Sequence, residues 1–114
     1  MRTGKPNQAA PYLEKAISLN PEYAQAYRNL GILHYEHNEY EKAIPLLKKA
    51  LKLPGGDPFD LLYGLGHSYW ELGDPERATV YFLAFRGKAP RTEKWAAKHR
   101  IAEAKLLEYG TSEN

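Results

Sequence analysis

The chain repeats itself at an interval of 34 or 35 residues, and this constrains its fold more than any other feature. Ala24 to Pro54 reappears as Phe59 to Pro90, with Leu30 and Gly31 answering to Leu65 and Gly66 at a shift of 35. At the same shift Tyr40, Ala43, Leu47 and Ala50 answer to Pro75, Ala78, Phe82 and Phe85. Upstream, Ala9, Leu13, Ala16 and Ile17 precede Ala43, Leu47, Ala50 and Leu51 by 34, and Pro11 precedes Pro45 by the same interval. A unit of this size cannot bury its apolar face alone, so successive units must bury it against one another.

Each unit reads as two helices. From Pro21 to Glu36 the residues Tyr27, Leu30, Gly31 and His34 or Tyr35 recur at helical spacing. His37 and Asn38 break the pattern, and Asn38 is placed to cap a second helix from Glu39 to Leu53, which the run Pro54 to Asp57 stops. In the next unit Asp57 or Asp60 opens a helix to Leu72, and Gly73 and Asp74 turn the chain. Pro75 then takes the favoured first helical position of a helix to about Lys88.

Composition narrows the function classes. With 114 residues, 43 % hydrophobic and 26 % charged, the chain can bury a core but has little room for an active-site cleft as well. The 16 basic and 14 acidic side chains are spread along it, without the cationic block of a nucleic-acid footprint. The absence of cysteine removes disulfides, thiolate zinc sites and cysteine nucleophiles. No apolar run approaches the roughly 20 residues of a membrane helix, and the start from Met1 to Pro6 does not read as a secretion signal. These features suit the cytoplasm by default, or the periplasm if the chain is cut from a longer protein.

The quoted positions resemble the tetratricopeptide repeat (TPR). Its pattern asks for an aromatic, Leu-Gly, Tyr, a Gly-Asp/Asn-Tyr turn, Ala, an aromatic, Ala and Pro. One unit supplies Tyr27, Leu30, Gly31, His34, Tyr40, Ala43, Leu47 and Ala50. The next supplies Leu62, Leu65, Gly66, Tyr69, Gly73, Ala78, Phe82 and Pro90, and a partial unit supplies Ala9, Leu13, Ala16 and Pro21. The resemblance spans roughly residues 4–90 and implies an all-α fold, a right-handed superhelical stack of antiparallel hairpins with about six helices. Packing explains the pattern: Gly31 and Gly66 admit close approach, with Ala43 and Ala78 expected to face them and aromatics filling the rest. His34 departs from the family's Tyr and Leu62 from its large aromatic. Pro11 and Pro45 are expected to bend second helices.

The implied organisation is a single domain over 1–110. It comprises a lone second helix (4–21), complete repeats at 22–56 and 57–90, a capping helix at 92–109 and a tail at 111–114. Thr92 is expected to cap that last helix, with Trp95, Ala102, Leu106 and Tyr109 on one face. The lone second helix suggests a fragment of a longer protein, since stacks close with polar caps.

In this family the first helices line a concave groove that takes peptides or helices of other proteins. Carried over by position, the groove residues are Gln25, Arg28, Ile32, Tyr35 and Glu36 in one unit and Asp60, Tyr63, His67, Trp70 and Glu71 in the next. Tyr63 and His67 are expected to stay accessible. Trp70 has two readings, a groove anchor or a ring covered by the C-terminal helix. Tyr27, Tyr40 and Tyr69 fall at core positions. The two-carboxylate clamp by which some TPRs hold chaperone tails does not fit: Asn29 matches its middle position, but Asp60 and Gly64 stand where its last Lys and Arg belong.

The expected function is therefore non-catalytic binding of another protein, with no cofactor and no metal. Among the 4 histidines, His34 and His37 lie one turn apart with Glu41 beyond them, too few converging ligands for zinc. Gly64 and Gly66 only superficially begin a dinucleotide motif, since no strand precedes them and the third glycine is missing. Glu36, Asp60 and Glu71 on the expected groove argue against RNA. Self-association through the unpaired helix of the first unit is the competing reading.

Overall fold

The computed structural model describes the backbone of residues 5–55 and 57–113, all helix and turn. The first four residues, Gly56 in the inter-repeat loop and Asn114 of the expected tail lie outside the described residues. The chain divides into two compact units, Met1–Gly56 and Asp57–Asn114, at the boundary between the two complete repeats.

The first unit holds α1 (Lys5–Leu19), α2 (Ala24–Glu36) and α3 (Tyr40–Lys52), with α2 packed on both neighbours. Its core is Ala26, Leu30, Ala43, Leu47 and Ala50. Pro11 and Pro45 sit inside α1 and α3 without ending either helix. Both prolines are exposed.

The second unit holds α4 (Phe59–Glu71), α5 (Pro75–Lys88) and α6 (Ala96–Glu113), with α5 packed on both neighbours. A 3-10 turn, Glu93–Trp95, precedes α6. The core is larger and more aromatic here: Leu61, Leu62, Tyr63, Leu65, Phe82, Phe85 and Trp95 are all buried. Phe59 and Phe85 both meet Trp95, with ring centroids 5.5 and 6.1 Å away. Each such large side chain contributes about 1.5–3 kcal/mol when fully buried. His99, nearly enclosed, lies against the Phe85 ring and donates from Nε2 to the carbonyls of Ala89 and Pro90, each at 3.2 Å. That bond and the Arg91–Glu103 pair at 2.8 Å tie the α5–α6 connection to α6.

Several local expectations are corrected. Gly31 and Gly66 are faced one helical turn further along than Ala43 and Ala78. A Cβ on Gly31 would lie 2.8 Å from Leu47 Cδ2, and one on Gly66 would lie 2.8 Å from the Phe82 ring. Asn38 does not cap α3. It takes the left-handed conformation, φ 62°, that Gly73 takes at 82° in the equivalent turn, and its Oδ1 accepts from the Tyr40 hydroxyl. Glu39 is the N-cap residue of α3 and makes no side-chain cap, whereas Asp74 at the start of α5 accepts from the Arg77 N–H at 3.2 Å. Thr92 also makes no side-chain cap, and α6 begins only after the 3-10 turn. At its other end α6 runs through Gly110 to Glu113, beyond the expected stop at Tyr109. Glycine disfavours a helix by only about 1 kcal/mol, and no proline follows to block it. Tyr27, Tyr40 and Tyr69 are half-buried rather than enclosed, with Tyr69 stacked on Tyr81 at 5.7 Å.

Candidate functional site

Helix geometry puts Gln25, Arg28, Ile32, Tyr35 and Glu36 along one side of α2. Gln25 and Glu36 are exposed, and Arg28, Ile32 and Tyr35 half-buried. Gln25 donates to Asn29 Oδ1 at 3.0 Å, and the Tyr35 ring meets the edge of Tyr40 at 6.0 Å. Ile32 and Glu36 also line an open cleft of about 460 Å³ between α1 and α2, together with Tyr12, Leu13 and Asn29. Tyr12 is 78 % exposed at its rim. A mostly apolar cleft bordered by an amide and a carboxylate suits an apolar side chain of a polypeptide. Tyr12 and Leu13 lie on α1, outside the first helices to which the resemblance assigns the groove.

The matching side of α4 is built differently. Tyr63, expected to be accessible, is only 5 % exposed. It packs against Phe82 and Phe85, at 6.1 and 5.6 Å, and burial raises its pKa. Two phenylalanines one turn apart on α5 make a pocket that an aromatic on α4 fills, so this residue belongs to the core.

His67 is half-buried, with Nε2 3.4 Å from Glu71 Oε2. Burial pulls its pKa down, Glu71 works against that shift, and the charge of Lys105 adds to it. Trp70 is partly covered by the C-terminal helix. It is half-buried, tilted against Phe82 at 6.5 Å, and the Lys105 ammonium of α6 lies 5.0 Å from its ring centroid. The Lys98 ammonium sits in the same way 5.4 Å from the Tyr63 ring. Asp60 is half-buried in the first turn of α4, and Glu71 is exposed in the last.

Nothing in either face resembles a catalytic constellation. His34 donates to Glu39 at 2.7 Å and His37 to the Leu33 carbonyl at 2.8 Å, each a local contact around the α2–α3 turn. Among the described residues no three His, Cys, Asp or Glu side chains converge to hold a metal ion.

Comparison with known proteins decides the family. Residues 1–58 match one tetratricopeptide repeat model and residues 59–84 match another. The chain belongs to the tetratricopeptide repeat family. Such TPR domains generally serve protein–protein interaction. Among curated proteins, anaphase-promoting complex subunit 3 of Schizosaccharomyces pombe is 32 % identical over 76 residues, 67 % of this chain and 11 % of that protein. Peroxisome biogenesis protein 5 of Arabidopsis thaliana is 30 % identical over 92 residues, 79 % of this chain and 12 % of that protein. The matched TPR segment thus spans about a tenth of these relatives' length. Among solved structures, MamA MSR-1 C2 superposes with a TM-score of 0.74 at 25 % identity, covering 96 % of this chain and 61 % of that one. A MamA mutant superposes with a TM-score of 0.71 at 24 % identity, covering 91 % and 58 %. These likenesses show the TPR fold, six helices packed as sequential hairpins.

Proposed function

We propose that this TPR domain is a non-catalytic module that binds a peptide or helix segment of another protein through the sides of its first helices, the helices the family uses for its groove. The observation that carries the reading is the open cleft between α1 and α2. There Leu13 and Ile32 stand beside an exposed tyrosine, with polar groups of Asn29 and Glu36 at hand to orient a chain. Apolar anchors with a few convergent polar groups are what polypeptide recognition requires. One curated relative is named as a subunit of a complex, which agrees with a binding role. Gln25, Arg28, Ile32, Tyr35 and Glu36 form the contact set on α2, and Asp60, His67, Trp70 and Glu71 that on α4, with Tyr63 supporting them from the core.

The test is site-specific photo-crosslinking. A benzophenone amino acid is placed at Gln25, Ile32 or His67, and as control at Val80 or Leu83, which are exposed on α5. Defined crosslinks to another protein from the first set and none from the second support the reading. Equal labelling from both sets sinks it. Crosslinks only to a second copy of this chain replace it with self-association.

A further inference from the structure

Resting on the α4 face as part of the binding surface, we propose that Lys98 and Lys105 of α6 select an acidic polypeptide segment, one with carboxylates spaced to meet both ammonium groups. The two lysines follow Tyr63 and Trp70 by 35 residues, so α6 carries lysine at the two repeat positions where α4 carries an aromatic. They differ from the clamp positions Asp60 and Gly64.

Their geometry favours an anionic ligand. Each ammonium is drawn over the ring in front of it, at 5.4 Å from Tyr63 and 5.0 Å from Trp70. Both lysines are half-buried, so part of each side chain is already held against the protein. Neither makes an ion pair with a carboxylate among the described residues, whereas Arg77, Arg91 and Lys42 each have one. An ammonium has three N–H donors, and a ring face engages only part of that capacity. The outward donors are positioned before the ligand arrives, which lowers the entropic cost of using them.

The acidic groups of α4 shape the selection. Glu71 is turned to His67, and Asp60 lies in the first turn of the helix. Together they repel a continuous polyphosphate more than a segment whose charges are spaced apart. Seven residues of helix separate the lysines by about 10 Å. A polyproline II segment returns the same side every third residue after about 9 Å. Acidic residues three apart in an extended peptide therefore meet both lysines.

The test compares three labelled peptides on the full chain by fluorescence anisotropy: Glu-Ala-Pro repeated four times, its Gln-Ala-Pro counterpart, and an oligouridylate of similar length. The expected result is binding of the Glu peptide at least about tenfold tighter than the Gln peptide, weakening as salt rises. It should fall about tenfold in the double variant Lys98→Gln, Lys105→Gln and return with Lys98→Arg, Lys105→Arg. Equal binding of Glu and Gln peptides by the unaltered chain overturns the proposal without any variant. So does tighter binding of oligouridylate, or full retention of Glu-peptide binding in a double variant whose circular dichroism and melting are unchanged. If the crosslinks from Gln25, Ile32 and His67 persist while the Glu peptide shows no preference, the acidic selectivity fails and the protein-binding reading stands. Loss of both removes the two together.

Discussion

Helices α2 and α4 occupy the same place in successive repeats, yet they are surrounded differently. In α2 only Ala26, Leu30 and Gly31 are buried, and on the side expected to bind Gln25 and Glu36 are exposed while Arg28, Ile32 and Tyr35 are half-buried. In α4 an unbroken run from Leu61 to Gly66 is buried, together with Ser68, and Tyr63 is core. Within the second unit, α6 brings Trp95 against Phe59 and two lysines over Tyr63 and Trp70. One helix pattern thus yields a polar–apolar face without a buried member in one case and a lidded aromatic one in the other. What a repeat position does depends on the element lying over it as well as on its number in the repeat.

The largest expected effects probe what the two helices share. Leu47 and Phe82 are equivalent, fully buried, and each rests against the glycine of its first helix. Phe82→Ala should cost about 3–5 kcal/mol and Leu47→Ala about 2–5 in denaturant unfolding. A loss below 1 kcal/mol at either would mean that the glycine contact is not a packing centre.

The contrast is sharpest at Arg28 and Tyr63, again equivalent. Tyr63→Ala should lose about 3 kcal/mol as a large core truncation, while Arg28→Ala should lose under about 1. Equal losses would erase the distinction between an open and a lidded face. Next come Gly31→Ala and Gly66→Ala, each forcing a methyl to 2.8 Å from a neighbouring side chain. Each should destabilise by about 1–3 kcal/mol, read as a lowered unfolding midpoint.

The smallest effects lie at the helix starts. Asp74→Ala removes a side-chain cap and should lower the melting temperature through α5 fraying, whereas Glu39→Ala removes no cap and should act only through the lost bond from His34. Acid should reveal a related dependence. Hydrogen bonds from Arg77 and from His34 hold the Asp74 and Glu39 carboxyls below their ordinary range. Their contribution is present above the unfolded carboxylate pKa, about 4, and is lost as pH falls through the lower folded values. His67 acts earlier in an acid titration. Its folded pKa is below the unfolded one, so the unfolded chain takes up the proton first and stability declines as pH drops below about 6.5. His67→Gln should flatten that part of the melting-temperature profile, and an unchanged slope would exclude the histidine as its source.

Much of this was legible in residue order. Ala43, Leu47 and Ala50 and their repeat equivalents Ala78, Phe82 and Phe85 recur at helical spacing, and all are buried. The break before α3 was also readable, although Asn38 serves it by adopting positive φ rather than by capping. Less legible was anything set by fine approach. The glycines meet Leu47 and Phe82 rather than the alanines because the facing helices interlock one turn along, and a shift of one turn leaves helical periodicity unchanged.

From sequence alone, then, come the helices, the hairpin turns, the family and the inward side of each second helix, because periodicity and turn chemistry act over a few residues. Tertiary structure alone decided that Tyr63 is core, that Trp70 is half-covered and that Lys98 and Lys105 lie over their rings. A helical pattern gives the direction in which a side chain points. What it meets there is set by a segment some 35 residues further along, through contacts that no local pattern contains.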